Sequence, residues 1–424
     1  MSRKTMLAVA VIVLTTGACG WAGLADENAQ LKNRVETLEE QVQGLTRALS
    51  PEGQEAAKAA AEGKNSLWSK LDIQLYGYIK ADAAWDSSRV TSGNFVLYAD
   101  SGGEDDHEFN LTARQTRVGL KIKGPDVGSA QTSGLLEGDF YGAGGTENKN
   151  IFRMRHAYLQ LYWPEKQLGV LAGQTWDVIS PLYPNTLNFT ILWDGGNIGY
   201  RHPQIRVTKD IDLGQEVSLK LAGAVSRTIS DAEEITGSGR PGEDAGLPTV
   251  QARAGITFPW FGMDPTTIGL SGHYGEEEYA GDNDLESWSL NIDISQPVNL
   301  WLSFKAEAFV GENLDDYFGG IGQGVLNAST TADNTIASKG GWVAANMKPC
   351  KNWQFNAGLG IDDVDSSDLG SSGRAVNRCV FGNAIYAINQ NADVGLELSH
   401  WRTDYKNDSD VDDVRIQGSF IYKF

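Results

Sequence analysis

Hydrophobic and polar residues alternate with a period of two along most of this chain after residue 70, as in a strand whose two faces meet different surroundings. The alternation is clearest in Ile73 to Trp85, Val217 to Val225, Val250 to Phe258, Trp288 to Ile294, Leu300 to Val310, Phe355 to Ile361 and Val394 to Leu398. It is cleanest at the C-terminus. There Val414, Ile416, Gly418, Phe420, Tyr422 and Phe424 share one face and Arg415, Gln417, Ser419 and Lys423 the other, with Ile421 breaking the polar side. About sixteen such strands follow in hairpin order, with short turns on one side and longer acidic loops on the other. Gly124 to Val127, Pro259 to Pro265, Gln296 to Asn299, Lys348 to Asn352 and Asn389 to Ala392 are the expected short turns. The long loops fall near 90–108, 142–150, 177–197, 230–247, 276–285, 312–337, 362–376 and 404–413. Strands apolar outward and charged inward suit lipid, where every backbone group needs a partner within the protein. The expected fold is all-β, a 16-stranded antiparallel transmembrane β-barrel over residues 71–424.

Composition agrees with this reading and narrows it. Glycine is abundant at 49 residues, proline scarce at 12, and Trp, Tyr and Phe number 12, 14 and 14, which suits long strands, turns and aromatic girdles. The only sustained apolar run is Met6 to Leu14, too short for a membrane-spanning helix, which needs about 20 residues. With Arg3 and Lys4 before that run and Gly23-Leu-Ala25 after it, residues 1–25 read as a secretory signal, so the chain is exported. The net charge is -20, yet six of the acidic loops together carry about -25. The wall itself is therefore slightly basic. Cys350 lies in a turn and Cys379 near the opposite rim, too far apart to pair.

Residues 26–50 have a different period. Leu31, Val35, Leu38, Val42, Leu45 and Leu49 step by four and three, with valine at a and leucine at d of a heptad. Valine at a with leucine at d favours dimers in the simple rule, but Arg34-Val-Glu-Thr-Leu-Glu39 resembles a trimer-specifying pattern, with Arg34 bridging to Glu39. The expectation is a short coiled-coil helix in a homotrimer, joined to the barrel by a linker over 51–70.

Several stretches together resemble the DcaP-like outer-membrane porins: Leu75-Tyr-Gly-Tyr-Ile-Lys80, Arg114-Gln-Thr-Arg117, Leu136-Glu-Gly-Asp-Phe140, Arg153-Met-Arg-His-Ala-Tyr158, Gly173-Gln-Thr-Trp176 and Gly196-Asn-Ile-Gly-Tyr-Arg201. The similarity covers most of residues 70–210 and the last two strands. It implies a trimer of sixteen-stranded barrels in the outer membrane of a diderm bacterium, with a periplasmic coiled coil. It also implies passage of small, often anionic solutes such as dicarboxylates.

Strand parity puts Lys80, Arg117, Lys121, Lys123, Arg153 and Arg155 on the inner face, with Arg201 and Arg206 beside them and Glu137 and Asp139 set against them. Fixed cations in a narrow pore concentrate anions; alternatively, these arginines pair with acidic neighbours and brace the wall. Arg114 has the wrong parity relative to Arg117 unless a bulge intervenes. Loop 177–197 is the expected constriction, with Trp176 and Asp177 at one end and Trp193 and Asp194 at the other. Trp301, Phe309 and Trp401 face inward by parity without forming a series. Phe420, Tyr422 and Phe424 form the expected signal to the barrel-assembly machinery, and lipid and lipopolysaccharide are the expected surroundings.

Other chemistry finds little support. Gly237-Ser-Gly-Arg-Pro-Gly242 matches a dinucleotide-binding string but sits in a loop with no helix behind it. His107, His156, His202, His273 and His400 lack ligand spacing, and His156 and His202 are expected at an interface. No enzyme activity, cofactor, metal or nucleic-acid partner is expected. The alternative to a porin is a structural tether that links the barrel to the cell envelope through its coiled coil.

Overall fold

The computed structural model describes residues 70–424 apart from 147–148, 228–242, 244, 262–263, 280–282 and 327–334. The signal segment, the coiled coil, nearly all of the linker and the stretch Gly237 to Gly242 lie outside the described residues.

Strands dominate the unit that spans Asp72 to Phe424. In chain order they are β1 (Asp72–Asp86), β2 (Val90–Ser92), β3 (Phe95–Ala99), β4 (Glu108–Thr112), β5 (Arg117–Lys123), β6 (Gln131–Thr146) and β7 (Lys149–Trp163). Then come β8 (Leu168–Trp176), β9 (Arg201–Gly214), β10 (Val217–Ser226), β11 (Thr249–Phe258), β12 (Thr266–Tyr279) and β13 (Asn283–Asn299). The last are β14 (Leu302–Glu312), β15 (Ala337–Met347), β16 (Trp353–Val364), β17 (Arg374–Ala387), β18 (Ala392–Tyr405) and β19 (Val411–Lys423). All but the β2–β3 hairpin join one antiparallel sheet, and β1 closes it by pairing with β19 through Lys80–Ile421 and Asp86–Arg415. Because β4 and β5 are two halves of one stave, the closed barrel has 16 staves.

Parity orders the two faces. Leu75, Ile79, Leu136, Leu159, Ile205, Leu270, Leu290, Leu359, Val380 and Leu398 are exposed on the outside, whereas Asp82, Asp86, Asn291, Asp293, Asn356, Asn377, Glu397 and Gln417 are buried inside. This is the reverse of a soluble protein and matches a hydrocarbon exterior. At the end of the chain Phe424 exchanges two backbone bonds with Gly77, both at 3.1 Å, and ties the terminus into the seam.

Some boundaries differ from expectation. Gln296 to Asn299 belong to β13, with a register shift between Pro297 and Asn299, and the turn lies at Leu300–Trp301. The Gln296 amide donates to Phe261 O at 2.8 Å, which holds that strand end in place. Trp301 thus sits exposed in a turn, while Phe309 and Trp401 are buried inside. Most of the acidic stretch 276–285 is also strand, since β12 and β13 pair as far as Tyr279–Asn283. β6 and β7 likewise extend through much of 142–150. Acidic side chains mark water, and a strand that rises above the membrane meets water too. Among the described residues both cysteines are free, Cys350 exposed and Cys379 buried.

Candidate functional site

The segment 177–200 leaves β8 and crosses the barrel interior, held by polar groups that the opposite staves point inward. Leu182 N–H donates to Glu307 of β14 at 2.8 Å, and the Asn185 amide donates to Asn346 of β15 at 2.7 Å. Leu187 and Asn188 donate their N–H groups to Glu397 of β18 at 2.6 and 3.0 Å. Lys80 of β1 and Gln417 of β19 donate to Leu187 O at 2.7 and 2.9 Å. Glycine permits the closest approach: Gly196 has φ +111°, and a side chain there would strike the backbone at Gly341 and Ile361. The β2–β3 hairpin folds in as well, with Asn188 donating to Val96 O at 3.0 Å. Val90, Val96, Leu192, Trp342, Phe381 and Trp401 make an apolar core within the lumen on that side.

The opposite side carries the charge. Two bulges crowd arginines onto the inner face. Between Thr112 and Arg117 the β4–β5 stave has one residue more than β1 has between Asp82 and Tyr78, so Arg114 and Arg117 both reach the interior. In β7 the register shifts between Glu137–His156 and Gly138–Met154, so Arg153, Arg155 and His156 all turn inward. Arg155 donates to Glu137 at 2.8 Å and to Asp139 at 2.9 Å. Arg153 pairs with Asp139 at 2.8 Å, and Arg117 lies 3.5 Å from Glu137. Arg114, Arg201 and Arg206 form no salt bridge among the described residues; Arg206 meets Gln204 Oε1, at 2.9 Å from Nε, and Trp176 O, with the Asp177 carboxylate nearby. Six guanidiniums therefore share two salt-bridged carboxylates in this patch, an excess of four positive charges before the buried Asp177, which is held by His202, is counted.

A row of aromatic rings from the inner hairpin, the wall and the loop lies against these arginines. Phe95 meets Tyr141 at 5.5 Å, Tyr141 stacks on Phe189 at 4.1 Å, and Phe189 meets Trp193 at 6.0 Å. The row continues from Trp193 to Trp176 at 6.1 Å and on to Tyr183 at 6.3 Å. Arg114 lies 4.9 Å from the Tyr141 ring, and Arg201 lies 4.5 and 4.4 Å from the rings of Trp176 and Tyr200.

The expected site residues fall into two groups. Arg117 and Arg153, with side chains 23 % and 22 % exposed, are partly exposed on the inner face together with Arg206, and Lys121 is exposed below them on β5. Arg155 and Arg201 are buried behind them. Lys80 is a brace between wall and loop: it is buried against Asp82, Gln115 and Leu187 O, with no face toward a solute. Asp177, Trp193 and Asp194 are likewise buried and hold the loop in place. Asp177 accepts from His202 at 2.8 Å and from Tyr200 N–H at 2.7 Å. Burial raises the Asp194 carboxyl to about 7, although Arg374 and the Gly322 N–H act against the rise. His156 and His202 face the interior, not an outer interface, and His156 bonds to Thr175 at 3.0 Å. Parity overlooked Tyr183, 46 % exposed on the loop, and Lys305, whose ammonium lies 5.6 Å from the Tyr183 ring. Lys305 was available from the β14 alternation; Tyr183 has no periodic signal.

The sequence model of the DcaP outer membrane protein family matches residues 26–238. The chain belongs to the DcaP outer membrane protein family. Among solved structures, the outer membrane channel DcaP of Acinetobacter baumannii superposes with a TM-score of 0.68 at 21% identity, covering 84% of this chain and 98% of that one. An anion-selective porin from Comamonas acidovorans gives 0.55 at 10% identity, covering 84% and 100%. A trimer form of OmpT from Vibrio cholerae gives 0.52 at 10% identity, covering 84% and 99%. Among curated proteins no significant match exists. This DcaP-family chain therefore has the fold of an outer-membrane porin, and family and fold together place it in the outer membrane.

Proposed function

We propose that this DcaP-family protein is a passive channel favouring small anions, including dicarboxylates, whose constriction lies between the loop 177–200 and the basic wall. The excess of four positive charges among the guanidiniums and carboxylates of that wall carries the reading. In a narrow, water-filled space bounded by low-dielectric material, such an excess raises the local anion concentration and lowers the barrier to carboxylates. The aromatic row offers flat apolar faces to the carbon skeleton between a solute's charges. Arg117, Arg153 and Arg206, with Lys121 at the approach, are the groups assigned to contact it, and Glu137 and Asp139 orient the guanidiniums.

Assembly completes the proposal. Residues 1–25 are read as a signal, 26–50 as a periplasmic coiled coil with Leu31, Arg34, Val35, Leu38, Glu39, Val42, Leu45 and Leu49 in its seam, and 51–70 as a linker to a homotrimer of barrels. Phe420, Tyr422 and Phe424 are proposed to be read by the assembly machinery, and lipid and lipopolysaccharide to surround the barrel. Liposome swelling tests the channel reading. A C4 dicarboxylate should enter faster than an uncharged sugar of similar size; equal or reversed rates would remove the selectivity claim, and no swelling at all would remove the channel. Deleting residues 26–65 should abolish trimers and leave envelope attachment unchanged, whereas lost attachment with intact trimers would favour the tether.

A further inference from the structure

The chain that follows β14 also folds into the lumen and docks on the loop 177–200. Leu314 and Tyr317 are fully buried and cluster with Ile179 and Ile198 of that loop and with Phe309 of the wall. Backbone bonds stitch the two segments together: Asp194 N–H donates to Phe318 O at 2.9 Å, and Gly199 N–H donates to Tyr317 O at 2.7 Å. Gly322 N–H donates to the Asp194 carboxyl at 3.0 Å. From the wall, Arg374 of β17 donates to Ile321 O at 2.7 Å and to Gly322 O at 3.1 Å. Thus held, Phe318, Gly320, Ile321 and Gly322 all take left-handed backbone, with φ of +59°, +67°, +55° and +62°. The Phe318 ring is half-buried. It stacks on Trp193, with centroids 4.4 Å apart and planes 9° apart, and meets Tyr200 at 5.0 Å and 70°. It also borders a cavity of about 220 Å³ whose other walls include Arg114 and Arg153 of the basic patch and Tyr141, Phe189 and Trp193 of the aromatic row.

We propose that Phe318 is the size-determining residue of the constriction, a ring fixed against Trp193 that limits how wide a solute can pass beside Arg114 and Arg153. Two observations favour a sieve over a packing residue. A side chain that only filled the core would be enclosed on every side, as Leu314 and Tyr317 are, whereas Phe318 keeps a surface on the cavity. Its backbone conformation is also one that glycine adopts freely and an aromatic residue rarely does, so the ring is there in spite of the loop's geometry and not because of it. Residues held in such conformations persist where the surrounding structure enforces them, and they cluster at functional sites. The bonds from Asp194, Gly199 and Arg374 supply that enforcement. Charge and width are then set by different elements: the basic wall favours anions, and the ring across the cavity excludes bulk. The inference rests on reading this space as the permeation path and adds a width limit to it.

Phe318→Gly tests it in the full chain, because glycine keeps the left-handed backbone and removes only the ring. In liposome swelling, the rate for an uncharged disaccharide relative to a monosaccharide should rise several-fold over wild type, and single-channel conductance should rise with it. The anion-to-cation ratio should stay near the wild-type value, since the ring carries no charge. Phe318→Tyr should keep the wild-type sugar ratio. An unchanged sugar ratio in Phe318→Gly, whether conductance holds or falls, would overturn the proposal. A second readout does not depend on how the loop settles without the ring. In a Cys350→Ser background, where Cys379 is buried, Phe318→Cys treated with a bulky methanethiosulfonate should lose conductance in discrete steps. A thiol that the reagent does not reach, or one whose modification is confirmed by mass and leaves conductance unchanged, would also overturn it. Wild-type protein separates the two readings: no conductance at all sinks the channel and the sieve together, whereas a conducting wild type with an indifferent residue 318 sinks the sieve alone.

Discussion

Replacing Arg206 by glutamine isolates the electrostatic part of the proposed selectivity. Arg206 is half-buried on the inner face of β9, donates to Gln204 and to Trp176 O, and forms no salt bridge among the described residues. Its loss breaks no salt bridge, leaves the buried Asp177 its bonds from Tyr200, His202 and Gln251, and lowers the excess of positive charge by one. In water-like surroundings a unit charge about 4 Å from a passing ion contributes ~1 kcal/mol, favourable for an anion and unfavourable for a cation. The anion-to-cation ratio should thus shift by ~2 kcal/mol, roughly 30-fold, before screening. At 0.1 M salt the Debye length of about 10 Å cuts this to a several-fold fall, larger at low salt. Reversal potentials across a planar bilayer in a salt gradient, for wild type and Arg206→Gln at two ionic strengths, measure it directly. Unchanged reversal potential with unchanged conductance would refute the claim that Arg206 acts on the permeating ion. Arg155→Gln removes the same formal charge but strips Glu137 and Asp139 of bonds at 2.8 and 2.9 Å. That variant should lose about 1–3 kcal/mol of stability, read as a lower denaturation midpoint, because each carboxylate loses a charge-assisted bond while Arg153 still pairs with Asp139 and Arg117 still faces Glu137.

Three further outcomes test the folded-in loop. Lys80→Met removes one of the wall's two bonds to Leu187 O and the pair with Asp82, so single-channel recordings should show more frequent conductance substates; steady current equal to wild type would count against a bracing role. Gly196→Ala places a methyl group against the backbone at Gly341 and Ile361 and forces the loop off the wall, so conductance should change with the barrel still folded. Asp194 titrates at about 7 in the folded loop against 3.8 as a free side chain, so the folded state holds the proton more tightly. The loop is therefore most secure in acid and loses up to ~4 kcal/mol as pH rises from about 4 to 7. Wild-type current noise should grow between about pH 5 and 8, Asp194→Asn should abolish that dependence, and an unchanged dependence in the variant would show that another group governs it.

The wall was legible in the sequence because facing lipid or lumen is a local rule: each residue's parity decides its side, as in Val414 to Phe424. The rule fails where the register changes. Arg155 lies at a bulge that appears only when β7 is laid beside β6, and Arg114 reaches the interior through an extra residue between β4 and β5. The filling of the lumen was less legible. Glu307, Asn346, Glu397 and Gln417 read as ordinary inward-facing polar residues, yet they hold a loop that lies far away in sequence. Lys80 shows the cost of reading charge alone, since what looked like a residue facing the solute is a buried brace. The row from Phe95 to Tyr183 exists only once two loops fold inward, and no periodicity in either could announce it.

The central claim is that the basic wall opposite the loop 177–200 makes the channel anion-preferring. The reversal potential of the purified wild-type protein, measured in a planar bilayer with a gradient of potassium chloride, tests it most directly. The structure predicts a potential displaced toward the chloride equilibrium value and moving closer to it as the salt is diluted; displacement toward the potassium value would contradict the account.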